Sequence, residues 1–334
     1  MMAPVTLSTM VGHEAGSGAP RAFHALAWTV LGATVAVIIS GDIVQATESG
    51  AGCGENWPRC DGALLPAFDD AATGIEFAHR ALTFVLSLLV IWLFTLARRT
   101  FAAGHRIRRA VNYVVVFFVL EILIGALLVV FGWVEQDASV GRVVADSLHV
   151  VNTFFLIGVL AFVVHHVSGG RLIRLMPAAR PERLVLAGMA ILVIIGVTGA
   201  VSSLADTLFP AETVLDGLRE EFGPAAPFLL RFRVVHPVVA IVGGTAMFVI
   251  IGRLVAAVPG PHAGLGRRVQ VIIGAQFGFG ALNLVLLTPL ETQIIHLLMA
   301  ELLWISFLMF SWSLFEGADV EMPDHREQVG GSVS

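Results

Sequence analysis

The sequence predicts an all-α, polytopic membrane protein: eight transmembrane helices arranged as two pseudo-symmetric four-helix bundles. Three observations carry that reading. Only 13% of the 334 residues are charged, 57% are hydrophobic and mean hydropathy is +0.85, against roughly 25% charged residues in a soluble domain. Eight runs are apolar over the length a bilayer-crossing helix needs, about 20 residues. Stretches of the first half also recur, in order, in the second. This composition excludes an ordinary cytosolic enzyme, a disordered regulator and a nucleic-acid-binding protein, which would carry a basic stripe. The two cysteines cannot build a disulfide scaffold.

The predicted spans are 24–46, 75–97, 109–131, 143–165, 183–205, 230–252, 269–287 and 291–314, each separated from the next by Pro, Gly or charge. They are far too long for barrel strands, so helices must satisfy the backbone in lipid. The first run is not expected to be a cleaved signal peptide, because it is long and preceded only by Arg21 as a basic residue. All 20 basic residues are Arg, and their distribution sets the orientation. Arg98, Arg99, Arg106, Arg108 and Arg109 follow the second span; Arg171, Arg174, Arg180 and Arg183 follow the fourth; Arg253, Arg267 and Arg268 follow the sixth. The opposite connections carry Glu48, Glu55, Asp61, Asp69 and Asp70, then Asp206, Glu212, Asp216, Glu220 and Glu221. Both termini are therefore expected in the cytoplasm of a cell (inner) membrane, with loops 47–74 and 206–228 outside.

The repeat matches IISGDIVQATESG (38–50) with IIGVTGAVSSLADT (194–207), and more loosely EILIGALLVVFG (121–132) with QFGFGALNLVLLTP (276–289). The expected organisation is a cytoplasmic segment 1–23, an N-terminal bundle 24–167, a linker 168–182, a C-terminal bundle 183–314 and a cytoplasmic tail 315–334. Bundles of this kind place cofactors between facing helices.

His79, His149, His236 and His296 fall one each in the second, fourth, sixth and eighth spans. Each lies four to six residues inside the predicted outer end, or roughly 6–10 Å deep at 1.5 Å per residue. One such His would read as a polar residue bonded to a neighbouring helix. Four at matched depth, two per repeat, point to function, because ionisable residues in a bilayer are rare and face the bundle interior. Imidazole pairs from facing helices suit axial ligation of heme iron. The repeat pairs His79 with His149 and His236 with His296, giving two porphyrin sites near the outer face. Arg80, Arg231 and Arg233 are candidate propionate contacts, with interfacial anchoring as the equal alternative.

The halves differ in chemistry. Glu76 precedes His79 by three residues and shares its helical face, whereas the equivalent position before His236 holds Arg233. Glu76 is either a proton acceptor beside one porphyrin or an interfacial carboxylate that orients its neighbours. Cys53 and Cys60 lie in the first outer loop and have no counterpart in the second; they read as a structural staple or as a redox-active pair. Glu121 and Glu301, near mid-bilayer, mark either a proton route or, preferably, a hydrogen-bond knot. Asn152 is expected to join helix packing, and His105, His165, His166 and His262 to be interfacial.

SGAGCGENWPRCDG in the first loop, IEFAHR at 75–80, LHVVNTF at 148–154, RFRVVHP at 231–237 and IIHLLMAELLW at 294–304 together resemble the heme A synthase family. The likeness covers about residues 25 to 315. It implies oxidation of a ring methyl of heme O, through an alcohol, to the formyl group of heme A for cytochrome oxidase biogenesis. It implies that His79 and His149 hold the substrate heme O, that His236 and His296 hold a resident heme b, and that Glu76 is catalytic. Cys53 and Cys60 match the family's cysteine pair in a supporting role. The second loop lacks the further cysteines of some relatives. Heme O, an electron donor or acceptor, the lipid bilayer and the farnesyltransferase that makes heme O are the expected partners, a homo-oligomer being compatible and nucleic acid excluded. The rival readings are a bis-histidine di-heme electron-transfer cytochrome and a heme transporter or chaperone.

Overall fold

A computed structural model describes residues 20–170, 180–224, 226–257 and 262–315. Within them the chain forms α1 (Arg21–Ala46), α2 (Ala71–Thr100), α3 (Arg106–Val130), α4 (Val140–Val167), α5 (Arg180–Leu208), α6 (Val214–Glu221), α7 (Phe228–Ala257), α8 (Ala263–Val285) and α9 (Leu290–Phe315). All eight long helices have the length and hydropathy of membrane spans. Among the described residues there are no strands, only an isolated bridge between Cys60 and Ala63. Arg171 and Arg174, the segment before residue 20 and the tail after residue 315 lie outside the described residues.

Caps place the helix starts. The Asp70 side chain accepts from the Thr73 amide at 2.7 Å and opens α2; that bonding holds its carboxyl below the usual range. Ser139 accepts from the Arg142 amide at 3.2 Å and opens α4. Both helices consequently begin a turn earlier than their apolar runs suggest. His79 and His149 stand eight and nine residues past Ala71 and Val140, and His236 and His296 eight and six past Phe228 and Leu290. The imidazoles are thus roughly 9–14 Å from the helix starts, those of His79, His149 and His236 deeper than expected. The second outer loop also holds a helix of its own, α6, capped by Thr213, whose hydroxyl accepts from the Asp216 amide at 3.1 Å.

The helix contacts fall into two rings of four. In the first, α1 packs on α2, α2 on α3, α3 on α4 and α4 back on α1; in the second, α5, α7, α8 and α9 follow the same cycle. This arrangement is compatible with two pseudo-symmetric bundles. It places α2 diagonally opposite α4, and α7 opposite α9.

The rings join through α4, α5, α1 and α9. Trp304 donates from its indole to the Phe154 carbonyl at 3.0 Å, and the two rings meet edge-on at 4.9 Å. Apart from such bonds, packing must supply the adhesion, because lipid is as apolar as the helix surfaces. Small residues permit it: a Cβ at Gly188 of α5 would lie 2.5 Å from the ring tip of Phe307 in α9, itself fully buried. Outward-facing Phe84, Ile91, Val242 and Val271 form the apolar exterior. Gly188→Val is therefore expected to lower the melting midpoint of the purified protein in detergent, at a cost of about 1–3 kcal/mol. An unchanged midpoint would mean that α5 and α9 do not pack at this register.

Candidate functional site

The four intramembrane imidazoles are held by one shared arrangement. Each points at a glycine on a neighbouring helix, α1, α3, α5 or α8, and each is partnered by a polar residue on that same helix. In the first half, Ser40 Oγ bonds His79 Nδ1 at 2.8 Å, and a Cβ at Gly41 would lie 3.2 Å from the His79 ring. In the second, Thr198 Oγ1 approaches His236 Nδ1 at 3.3 Å, and a Cβ at Gly199 would lie 3.1 Å from that ring. Gly125 and Gly280 face the rings of His149 and His296 in the same way. The partners there are Glu121, whose Oε2 takes His149 Nε2 at 2.5 Å, and Gln276, whose Nε2 lies 3.4 Å from His296 Nε2 and donates to the His296 carbonyl at 3.1 Å. These are the positions that the sequence repeat aligns.

The pairing expected from the repeat also has geometric content. The rings of His236 and His296 are 6.4 Å apart between centroids, across the bundle from α7 to α9. Two imidazoles bonded at about 2 Å to opposite sides of one metal have centroids on the order of 6 Å apart. His296 Nδ1 is buried without a partner. His79 and His149 are close enough for one ring's charge to bear on the other. Among the described residues, no group of three or more His, Cys, Asp or Glu is placed to hold a bare metal ion. A two-imidazole donor set is what axial ligation of heme iron requires, so the residues present fit the group.

Residues 24–308 match the profile of COX15-CtaA, described as cytochrome oxidase assembly protein. The chain belongs to that family. It is the heme A synthase family, which the five sequence motifs resemble. Two proteins named protoheme IX farnesyltransferase, from two strains of Thermus thermophilus, are 38% identical over 307 residues, which is 91% of this chain and 50% of each of them. The chain thus spans about half the length of those relatives. A heme A synthase of Staphylococcus aureus is 35% identical over 126 residues, 38% of this chain and 41% of that protein.

In this member of the COX15-CtaA family, Glu76 and Arg233 turn out to do matching work with opposite charges. Glu76 Oε2 accepts from the Cys53 amide at 2.7 Å, and its Oε1 takes Arg80 Nε at 3.0 Å and Nη2 at 2.5 Å. Arg80 Nη1 reaches on to the carbonyls of Asn56 and Arg59, both at 2.8 Å. Arg233 pairs with Asp206 at 2.7 Å and Glu221 at 3.4 Å and donates to the Phe209 carbonyl at 3.1 Å. Each therefore ties its own outer loop to the helix that carries a histidine. Arg231 is exposed beside a cavity of about 300 Å³ lined by Glu221, Phe222 and Val234.

Cys53 and Cys60 are joined in a disulfide. They are 0% and 2% exposed, so a partner thiol has little access and the bond reads as a staple. The loop passes so close to the start of α2 that a Cβ at Gly52 would lie 2.4 Å from the Ala72 carbonyl carbon. Glu121 also accepts from Thr153 Oγ1 at 2.8 Å, and Asn152 donates to the Phe117 carbonyl at 2.8 Å, so this region knots α3 to α4. Glu301 is buried and near enough to Glu121 for their charges to interact. His105 caps α3, and His165 and His166 sit in the last turn of α4.

Sequence reading missed Asp42, which buries a carboxylate oxygen without a hydrogen bond, and Asp146, which pairs with Arg142 at 3.7 Å. The signal was present, as both are acidic residues inside apolar runs. Replacing Arg80 with Gln should free the first loop, so that trypsin cuts after Arg59 on the order of tenfold faster, as expected when local opening becomes cheaper. The fragments should stay joined until reduction. An unchanged cutting rate would show that Arg80 does not hold the loop.

Proposed function

We propose that this chain is a membrane-bound heme A synthase, oxidising a ring methyl of heme O through an alcohol to the formyl group of heme A for cytochrome oxidase biogenesis. The observation that carries the reading is the facing His236–His296 pair at 6.4 Å between rings, in a chain of the COX15-CtaA family whose first half carries His79 and His149 on the corresponding helices α2 and α4. His79 and His149 hold the substrate heme O. His236 and His296 hold a resident heme b, which when bound supplies one-electron transfer.

The chain's own residues prepare both positions. Ser40 and Thr198 fix the rings of His79 and His236 through Nδ1, so Nε2 is the nitrogen of each that is left for iron. Gly41, Gly125, Gly199 and Gly280 allow α1, α3, α5 and α8 to approach the rings. Glu76, on the His79 face of α2, takes up the proton released at the substrate; Arg80 and the Cys53 amide fix where its carboxylate sits. The Cys53–Cys60 staple and α6 close the outer ends of the two bundles. Arg231, exposed at the mouth of the second bundle, is the propionate contact there, whereas Arg80 and Arg233 are committed to their loops.

The protein lies in the cell membrane with both termini cytoplasmic and both sites toward the outer face. Heme O comes from a farnesyltransferase partner, in keeping with the name of the Thermus thermophilus relatives. A di-heme electron-transfer cytochrome would call for two like positions, and the acidic groups gathered around His149 alone argue against it.

His236→Ala or His296→Ala should remove the resident heme b absorbance from the purified protein; a full heme b signal in both would overturn the pairing. Glu76→Gln should keep heme binding and lower formyl production by about a hundredfold or more, the scale of a lost general base. Normal heme A output from that variant would clear Glu76 of the chemistry.

A further inference from the structure

We propose that Glu121 is a latch on His149 that makes the N-terminal heme position exchangeable, while the C-terminal position retains its heme. The inference rests on the reading above, in which one half releases a product and the other keeps a cofactor. In both halves the first imidazole, His79 or His236, is held through Nδ1 by a hydroxyl. The second imidazole is treated differently.

Glu121 engages His149 through Nε2 at 2.5 Å. A carboxylate only accepts, so Nε2 must carry the hydrogen, and the lone pair an iron would take is absent while the bond lasts. Thr153 Oγ1 holds the other carboxylate oxygen at 2.8 Å and keeps the group aimed. Ligation through Nε2 therefore has to break this bond, and a departing heme is replaced by it. In the C-terminal half the aligned residue is Gln276. Its amide nitrogen donates to the His296 carbonyl at 3.1 Å, which fixes that end of the amide toward His296 Nε2. That donor meets the Nε2 lone pair only in a long, neutral contact, which iron displaces more readily than the short, charge-assisted bond of Glu121.

Two further acidic positions follow the same division. Asp42 buries an oxygen without a hydrogen-bond partner, Asp146 lies 3.7 Å from Arg142 Nε, and the positions that correspond in the second half are Ala200 and Gln293.

The test uses the full chain loaded with heme B as probe, with transfer to excess apomyoglobin followed by absorbance. The native protein should release heme in a fast and a slow phase, the fast one missing in His79→Ala and the slow one in His236→Ala. Glu121→Gln should slow the fast phase about tenfold, the order expected when a charge-assisted hydrogen bond no longer competes. Thr153→Val should slow it less, and Gln276→Glu should accelerate the slow phase. A fast phase unchanged or quickened in Glu121→Gln, with the slow phase unmoved in Gln276→Glu, would overturn the latch. If neither histidine variant removes a phase, the two-heme reading itself fails, whatever the Glu121 variant does.

Discussion

An imidazole inside a bilayer must be bonded, and that requirement organises this protein. Burying an unpartnered polar group costs several kcal/mol by order of magnitude, and here four rings have to be satisfied at once. Each is met by one polar residue on a neighbouring helix, α1, α3, α5 or α8: Ser40, Glu121, Thr198 and Gln276. Each such helix presents a glycine to the ring as well, one residue after the hydroxyl or four after the acid or amide. Bond and glycine together fix the register of α1 on α2, α3 on α4, α5 on α7 and α8 on α9.

The outer loops complete what the helices begin. Glu76 and Arg233 occupy corresponding positions one turn before a histidine, and both spend their charge on the loop above it. A carboxylate suits the first loop because it must accept a backbone amide; a guanidinium suits the second because acids and a carbonyl converge there. Charge reversal at one position is thus compatible with a shared structural duty. It also leaves the first half richer in acidic groups near its imidazoles.

Much of this was legible in the sequence. Eight apolar runs became eight helices, the four histidines sit where even-numbered spans place them, and Asn152 and Glu121 do knot α3 to α4. The depth of His79 and His149 was underestimated because the capped first turns of α2 and α4 are too polar to register as apolar run. Helix α6 was missed for a related reason: VLDGLREE reads as loop by hydropathy, although Thr213 followed three residues later by Asp216 carries a capping signature. The partners of the imidazoles were quoted within the repeat yet not recognised as partners, since Ser40 and Thr198 are ordinary residues until a facing helix is placed. Arg80 and Arg233 were candidates for an anionic ligand, and nothing short of the folded loops could show that they are already engaged.

The chemistry assigned to the first bundle has one direct test. The chain is expressed in a host that makes heme O but no heme A, and the extracted hemes are separated by reversed-phase chromatography with mass detection. The account predicts a new porphyrin with the mass of the alcohol or the formyl product. Heme B alone, with heme O available and the protein folded in the membrane, would contradict it and leave an electron-transfer cytochrome in its place.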